Sequence, residues 1–220
     1  MTDQVRNVTF YFDPISPYVW LAAADAIERI ESAGASVRMQ PVLFAAMLHA
    51  LGNKGPAEIP AKRAYTFRDV MRQAARLGMP FNGPPGHPFN PLLALRMCTA
   101  LGGEHDRRRF ALALLSACWE RGVNISDAAA LLRIARDCDL HGEALLEAAA
   151  QPALKQELAA ATEQAIADGV FGVPTFRLGD ELFWGADRVD TLLWRLDGNG
   201  IDDAKLAEFL ARAPLAQRKA

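Results

Sequence analysis

The period of the apolar positions changes along the chain, and each change predicts an element. Val8-Thr9-Phe10-Tyr11-Phe12 is a short β-branched and aromatic run bounded by Asp13-Pro14, as expected of a strand in a covered sheet. Beyond it Trp20, Ala23, Ala24, Ile27 and Ile30 recur at helical spacing until Gly34 stops them. Val37 and Met39 then alternate up to Pro41. Strand, helix and strand in that order predict a crossover joining parallel strands.

From 43 to about 168 alanine and leucine dominate and no strand pattern occurs. Ala64, Phe67, Met71, Ala74 and Leu77 form one amphipathic stripe closed by Gly78. The stretch 80–91, with Gly83-Pro84-Pro85-Gly86-His87-Pro88, is too rich in proline and glycine for a helix. Helices are predicted over about 91–101 and 106–121, after a cap at Ser126 or Asp127, near 143–149, and over 152–168. Strand character returns at Pro174-Thr175-Phe176-Arg177-Leu178, turns at Gly179-Asp180 and continues as Glu181-Leu182-Phe183-Trp184, a hairpin. Asp187 reads as the N-cap of a helix through Leu196, and a last helix is predicted from about 202 to 213. The sum is an α/β fold, β-α-β and then β-β-α, in which a discontinuous domain (1–42 and 169–220) carries an all-α insertion domain (43–168).

Composition narrows the partners. A chain of 220 residues that is 51% hydrophobic and 23% charged can bury a sizeable core. Its formal net charge of −2 supplies no basic field for nucleic acid or acidic membrane, so neither is expected as a partner. The stretch 1–7 carries Asp3 and Arg6 and lacks the apolar core of a secretory signal, and no segment reaches membrane-spanning length, which predicts a cytoplasmic protein. Cys98, Cys118 and Cys138 are far apart and the histidines are scattered. That spacing predicts neither a metal site nor disulfides, but small apolar cysteines packed in helices. His87, in its loop, is the one histidine to follow. Arg107-Arg108-Arg109 is expected on a solvated helix face.

The candidate chemistry lies at Ser16-Pro17. Proline suits the first helical position, which leaves Ser16 as N-cap and free N–H groups at a helix end that favours a thiolate or carboxylate. By itself this stretch describes a capped helix and no more.

A second segment changes that. Ser16-Pro17-Tyr18-Val19 stands where a thioredoxin-like oxidoreductase carries Cys-x-x-Cys, and Gly172-Val173-Pro174-Thr175-Phe176 resembles the cis-proline loop of that superfamily. Such a loop would turn the Val173 backbone outward to pair with an extended peptide. Without cysteine at either position the site cannot exchange dithiol for disulfide, but it can hold a thiol supplied by a ligand. Further segments agree: Gly52-Asn53-Lys54-Gly55-Pro56-Ala57-Glu58-Ile59-Pro60-Ala61-Lys62-Arg63, Gly78-Met79-Pro80-Phe81, His87-Pro88-Phe89-Asn90-Pro91-Leu92 and Phe183-Trp184-Gly185-Ala186-Asp187-Arg188. Over nearly the whole chain the pattern resembles the kappa-class glutathione transferases and, more closely, the 2-hydroxychromene-2-carboxylate isomerases, a DsbA-like branch of the thioredoxin fold.

That resemblance implies glutathione as cofactor, a small aromatic carboxylate as substrate, and a homodimer. It assigns Ser16 as the hydroxyl that stabilises the glutathione thiolate. Val173, before Pro174, would pair with the cysteinyl unit; Ala186 and Asp187 would receive the γ-glutamyl end, with Asp187 as counter-charge for its ammonium; and Pro174, Trp184, Gly185, Asn53 and Lys62 would complete the glutathione site. Asn53 and Lys54 fall where the isomerases meet the substrate carboxylate. Relatives often carry arginine at the position of Lys54, so a point charge replaces a bidentate fork here. The loop that carries His87 would cover the aromatic ring with Phe81 or Phe89. Two other functions share these residues: a kappa-like transferase that releases a glutathione adduct, and a non-catalytic thioredoxin-like module that grips peptides at Val173-Pro174.

Overall fold

The computed structural model describes residues 6–216, so most of the stretch judged too polar for a secretory signal, residues 1–5, lies outside it. The chain opens with β1 (Arg6–Phe12), α1 (Pro17–Ser32) and β2 (Ala35–Pro41), and the two strands are parallel, with Val8 opposite Val37 and Phe10 opposite Met39. There follow α2 (Phe44–Ala50), a 3-10 turn (Pro56–Glu58), α3 (Pro60–Arg76), α4 (Leu92–Ala100), α5 (Glu104–Trp119), α6 (Ala128–Asp137), α7 (Gly142–Ala150) and α8 (Pro152–Ala167). The hairpin β3 (Thr175–Leu178) and β4 (Glu181–Trp184) comes next, then α9 (Val189–Leu196) and α10 (Asp203–Leu210). The fold is therefore the α/β thioredoxin-like plan with helices inserted between β2 and β3.

The sheet has the order β2-β1-β3-β4, and β3 runs antiparallel to both β1 and β4. Because β1 is flanked on both sides, Val8, Phe10 and Phe12 are fully buried, and Phe10 stacks on Phe176 of β3 with ring centroids 4.5 Å apart. α1 buries Trp20, Ala23, Ile27 and Ile30 as its spacing predicts, whereas Ala24 is exposed and Val19 and Ala26 take the core instead.

Two expectations are corrected. In α3 the buried seam is Val70 and Ala74 with Phe67 half-buried, while Ala64, Met71 and Leu77 of the expected stripe are exposed. This helix meets the body along one narrow edge, so residues at the flanks of an apolar stripe stay outside. Nor is Arg107-Arg108-Arg109 a solvated face. Arg107 donates to the carbonyls of Cys98 (3.2 Å) and Leu101 (2.6 Å) at the end of α4, Arg108 donates to Glu31 and to the Val37 carbonyl of β2 (2.8 Å), and Arg109 pairs with Asp106 (3.2 Å). Carbonyls at a helix end have no partner within the helix, and a long stem with a forked head reaches them from the next element. The three cysteines are buried and unpaired. Burial pushes the Cys118 thiol up to about 12 and raises Cys98 as well, so neither is a nucleophile at neutral pH.

Candidate functional site

Ser16 sits on a turn whose backbone groups are all taken up. After β1 ends, Asp13 Oδ1 accepts the Ile15 N–H (2.9 Å) and Oδ2 accepts the Phe44 N–H at the start of α2 (3.0 Å). The Ser16 N–H donates to the Asp13 carbonyl (3.1 Å). Trp119 Nε1–H of α5 donates to the Pro14 carbonyl (3.0 Å), and His87 Nε2 lies 3.0 Å from the Ile15 carbonyl. Asp13 is completely buried, and desolvation outweighs its two hydrogen bonds to push its carboxyl up to about 7.

Pro17 starts α1 and Ser16 occupies the N-cap with extended backbone (φ −91°, ψ 118°), as expected, but its hydroxyl makes no capping hydrogen bond. Only 9% of the residue is exposed, and no acidic side chain occupies the first turn of the helix. A hydroxyl with no structural duty therefore stands at the positive end of a 16-residue helix dipole.

The sheet register puts the second candidate segment at the same edge. Tyr11 of β1 faces Thr175 of β3, and the strands are antiparallel, so Val173 and Pro174 run past the end of the sheet from which Asp13 to Ser16 also emerge. The Val173–Pro174 peptide is cis, and Val173 enters no backbone hydrogen bond among the described residues. The Pro174 carbonyl accepts the Gly185 N–H (2.9 Å), which ties this loop to the turn after β4. Trp184, facing Thr175, is 53% exposed and meets Phe171 edge-to-face at 4.8 Å. At Gly172 an added Cβ would lie 2.7 Å from Trp184 Nε1, so a side chain there would push the indole aside.

Asp187 is not the N-cap that its position suggested. It lies in a 3-10 turn, Ala186–Arg188, ahead of α9, and no side chain caps that helix. Its carboxylate is exposed and pairs with Arg188 (3.1 Å). Burial first, and then the hydrogen bond to Asp69 of α3 (2.9 Å), raise the Tyr18 phenol, whose hydroxyl is thereby committed as a donor; the Asp187 charge adds a small contribution.

The remaining candidates sit on the inserted helices. Asn53 and Lys54 are exposed in the loop after α2, with the Asn53 N–H bonded to the Leu48 carbonyl (2.9 Å), and Lys62 is exposed in the first turn of α3. Both helices are moored to the Ser16 turn, α2 by Asp13 and α3 through Arg63, which donates to the His87 carbonyl (3.5 Å). Phe81 and Phe89 are half-buried rather than open. Phe81 packs on Trp20 (6.0 Å) and Trp119 (6.2 Å), and Phe89 meets His87 (6.1 Å). Asp13, Tyr18, Asp69 and Trp119 shape this site without having been singled out in the sequence. Only Asp13 left a local trace there, as an acidic residue hydrogen-bonding two positions ahead in a turn.

The comparisons with known proteins agree with this geometry. Residues 7–197 match the DSBA-like thioredoxin domain, and the chain belongs to that family. Within it the chain falls in the branch of 2-hydroxychromene-2-carboxylate isomerases and kappa-class glutathione transferases. It is 31% identical over 191 residues to 2-hydroxychromene-2-carboxylate isomerase of Sphingobium xenophagum, spanning 85% of this chain and 96% of the relative. It is 27% identical over 201 residues to human glutathione S-transferase kappa 1, spanning 85% and 89%. A solved structure of 2-hydroxychromene-2-carboxylate isomerase superposes with a TM-score of 0.81 at 24% identity, covering 94% of this chain and 100% of that one. The cytosolic disulfide reductase DsbM of Pseudomonas aeruginosa with GSH shares the fold at a TM-score of 0.61 and 17% identity, covering 87% and 98%.

Proposed function

We propose that this protein is a glutathione-dependent isomerase that converts 2-hydroxychromene-2-carboxylate, or a related aromatic-degradation intermediate, to trans-o-hydroxybenzylidenepyruvate. The observation that carries this reading is the Ser16 hydroxyl, buried at the tip of α1 yet free of any capping bond. The residues suit glutathione in three respects: that hydroxyl is free to take a partner, the Val173 backbone is unpaired among the described residues, and the Asp187 carboxylate is released from capping.

Ser16 donates a charge-assisted hydrogen bond to the thiolate, and the end of α1 adds its dipole. This stabilisation matters because a thiol near ~8.5 is mostly protonated at neutral pH. Val173 pairs with the cysteinyl backbone in front of Pro174. Asp187 neutralises the γ-glutamyl ammonium beside Trp184, Gly185 and Ala186, and Asn53 and Lys62 hold the rest of the tripeptide. Bound glutathione supplies a thiolate that adds to a conjugated carbon and is expelled again, so that a double bond is single for long enough to rotate. Asn53 and Lys54 receive the substrate carboxylate, Lys54 stabilises negative charge as it develops, and Phe81 and Phe89 border the aromatic ring.

The test is isomerisation followed by absorbance with and without reduced glutathione. Activity that requires glutathione but does not consume it is expected, and turnover undiminished without glutathione would refute the reading. Ser16→Ala should lower kcat/KM by about 10- to 1000-fold, as for the loss of one stabilising donor, with the thermal midpoint unchanged because no cap is lost. The likeness to human glutathione S-transferase kappa 1 supports a second reading, and stoichiometric release of an adduct from a chloronitrobenzene would favour it.

A further inference from the structure

The Ser16 turn exposes two carbonyls, those of Pro14 and Ile15, and side chains of the helical insertion take both. Trp119 does so from the fully buried core, and His87 from the loop between α3 and α4. The Ile15 carbonyl can only accept, so His87 Nε2 carries the hydrogen. Nδ1 is enclosed and meets no partner among the described residues, so a proton there would have nothing to bond. Burial holds the ring below the usual histidine range against the opposing pull of the Ile15 hydrogen bond, and the nearby Arg63 charge adds to it. The ring is a neutral imidazole in one tautomer. Its plane is set by Phe67, edge-on at 5.2 Å, by Trp119 at 5.7 Å and by Phe89 at 6.1 Å.

We propose that His87 is a positioning residue for the reaction: by holding the Ile15 carbonyl it fixes the Ile15–Ser16 peptide plane and thereby aims the Ser16 hydroxyl at the bound thiol. The two effects have one origin. Held only through the Ser16 N–H at the Asp13 carbonyl, the peptide could tilt and carry the Ser16 side chain off its line, and a displacement of about 1 Å can cost ~100-fold in rate. It would also release a carbonyl dipole beside the place where negative charge must be held, which opposes the helix end. The proposal rests on the thiolate chemistry put forward above and adds to it a residue that touches neither glutathione nor substrate.

His87→Leu and His87→Gln separate this role from packing. Glutamine carries an amide N–H the same number of bonds from Cα as imidazole Nε2, whereas leucine fills space without a donor. The readouts are the thiolate absorbance of bound glutathione titrated against pH, the glutathione Kd by calorimetry, and kcat. In His87→Leu the bound thiol should titrate about one pH unit higher and kcat should fall about tenfold, with Kd within about twofold when measured at a pH where the bound thiol is protonated. In His87→Gln the titration should return to within about half a pH unit of wild type and kcat to within about threefold. A leucine variant whose thiolate titration overlays that of the wild type, or a folded glutamine variant as impaired as leucine, overturns the proposal. Should leucine not fold, ring-nitrogen NMR of the wild type decides: a neutral ring protonated at Nε2 is expected, and a ring protonated at Nδ1 refutes the clamp. A wild-type protein that shows no bound thiolate refutes the glutathione chemistry itself, and a thiolate that both variants retain refutes only the role of His87.

Discussion

Asp13 shows how much a single buried side chain decides at this site. It is three residues before Ser16, has no exposed surface, and joins the Ser16 turn to the start of α2 through the N–H groups of Ile15 and Phe44. In the unfolded chain such a carboxyl titrates near ~3.9, whereas burial holds the folded one up to about 7. Between those values the folded protein binds more protons than the unfolded, so the stability this group contributes is complete below about pH 4 and is lost as pH rises to about 7. Denaturant unfolding of wild type and Asp13→Asn across that window should show wild type losing roughly 2–4 kcal/mol relative to the variant, which has no carboxyl to titrate. A pH-independent difference would mean that Asp13 is ionised throughout. In sequence Asp13 looked like the end of a strand. Its contact to Ile15 is local enough to foresee, but that to Phe44 spans 31 residues and no periodicity reports it.

At the scale of elements, the turn between β4 and α9 shows where local reading stops. The tip of α1 was legible because Pro17 suits only a first turn and Ser16 fits the position before it. Asp187 was misplaced because it lies inside a 3-10 turn that precedes α9, and short polar residues favour both settings. Asn53, Lys54 and Lys62 were singled out only through resemblance, since an exposed polar loop and a helix surface carry no pattern of their own. What governs Asp187 is Gly185, at φ 116° and ψ 152°, where an added Cβ would stand 2.5 Å from Asp187 Oδ1. Gly185→Ala should cost about 1–3 kcal/mol of stability from that backbone region. It should also turn the carboxylate away, weakening glutathione binding about tenfold in calorimetry while kcat at saturating glutathione stays within about twofold, because Ser16 is untouched. Unchanged affinity would release Asp187 from the γ-glutamyl role.

For the whole molecule, the β-α-β and β-β-α halves were readable from period alone, and so was the helical character of what lies between them. What period could not show is that the insertion and the sheet share one interior. Phe110, Leu114 and Trp119 of α5 belong to the same buried cluster as Phe10, Val19 and Phe176. Polar ties cross the same boundary: Glu104 accepts the Met39 N–H of β2 (2.8 Å), Asp13 accepts the Phe44 N–H (3.0 Å), and Trp119 reaches the Pro14 carbonyl. Helices bound this way cannot detach without exposing the apolar face of α1 and stranding buried backbone groups, each of which costs about 1–3 kcal/mol. Calorimetry should therefore give a single transition whose van't Hoff and calorimetric enthalpies agree. Trp119→Phe, which keeps the ring but removes the donor to Pro14, should lower that one midpoint without splitting it. Two resolved transitions, with protection from hydrogen exchange lost first in the inserted helices, would mean that the insertion is a lid on an independently stable sheet, and the Ser16 turn would then have to hold its shape without the side chains that reach it from α5 and the His87 loop.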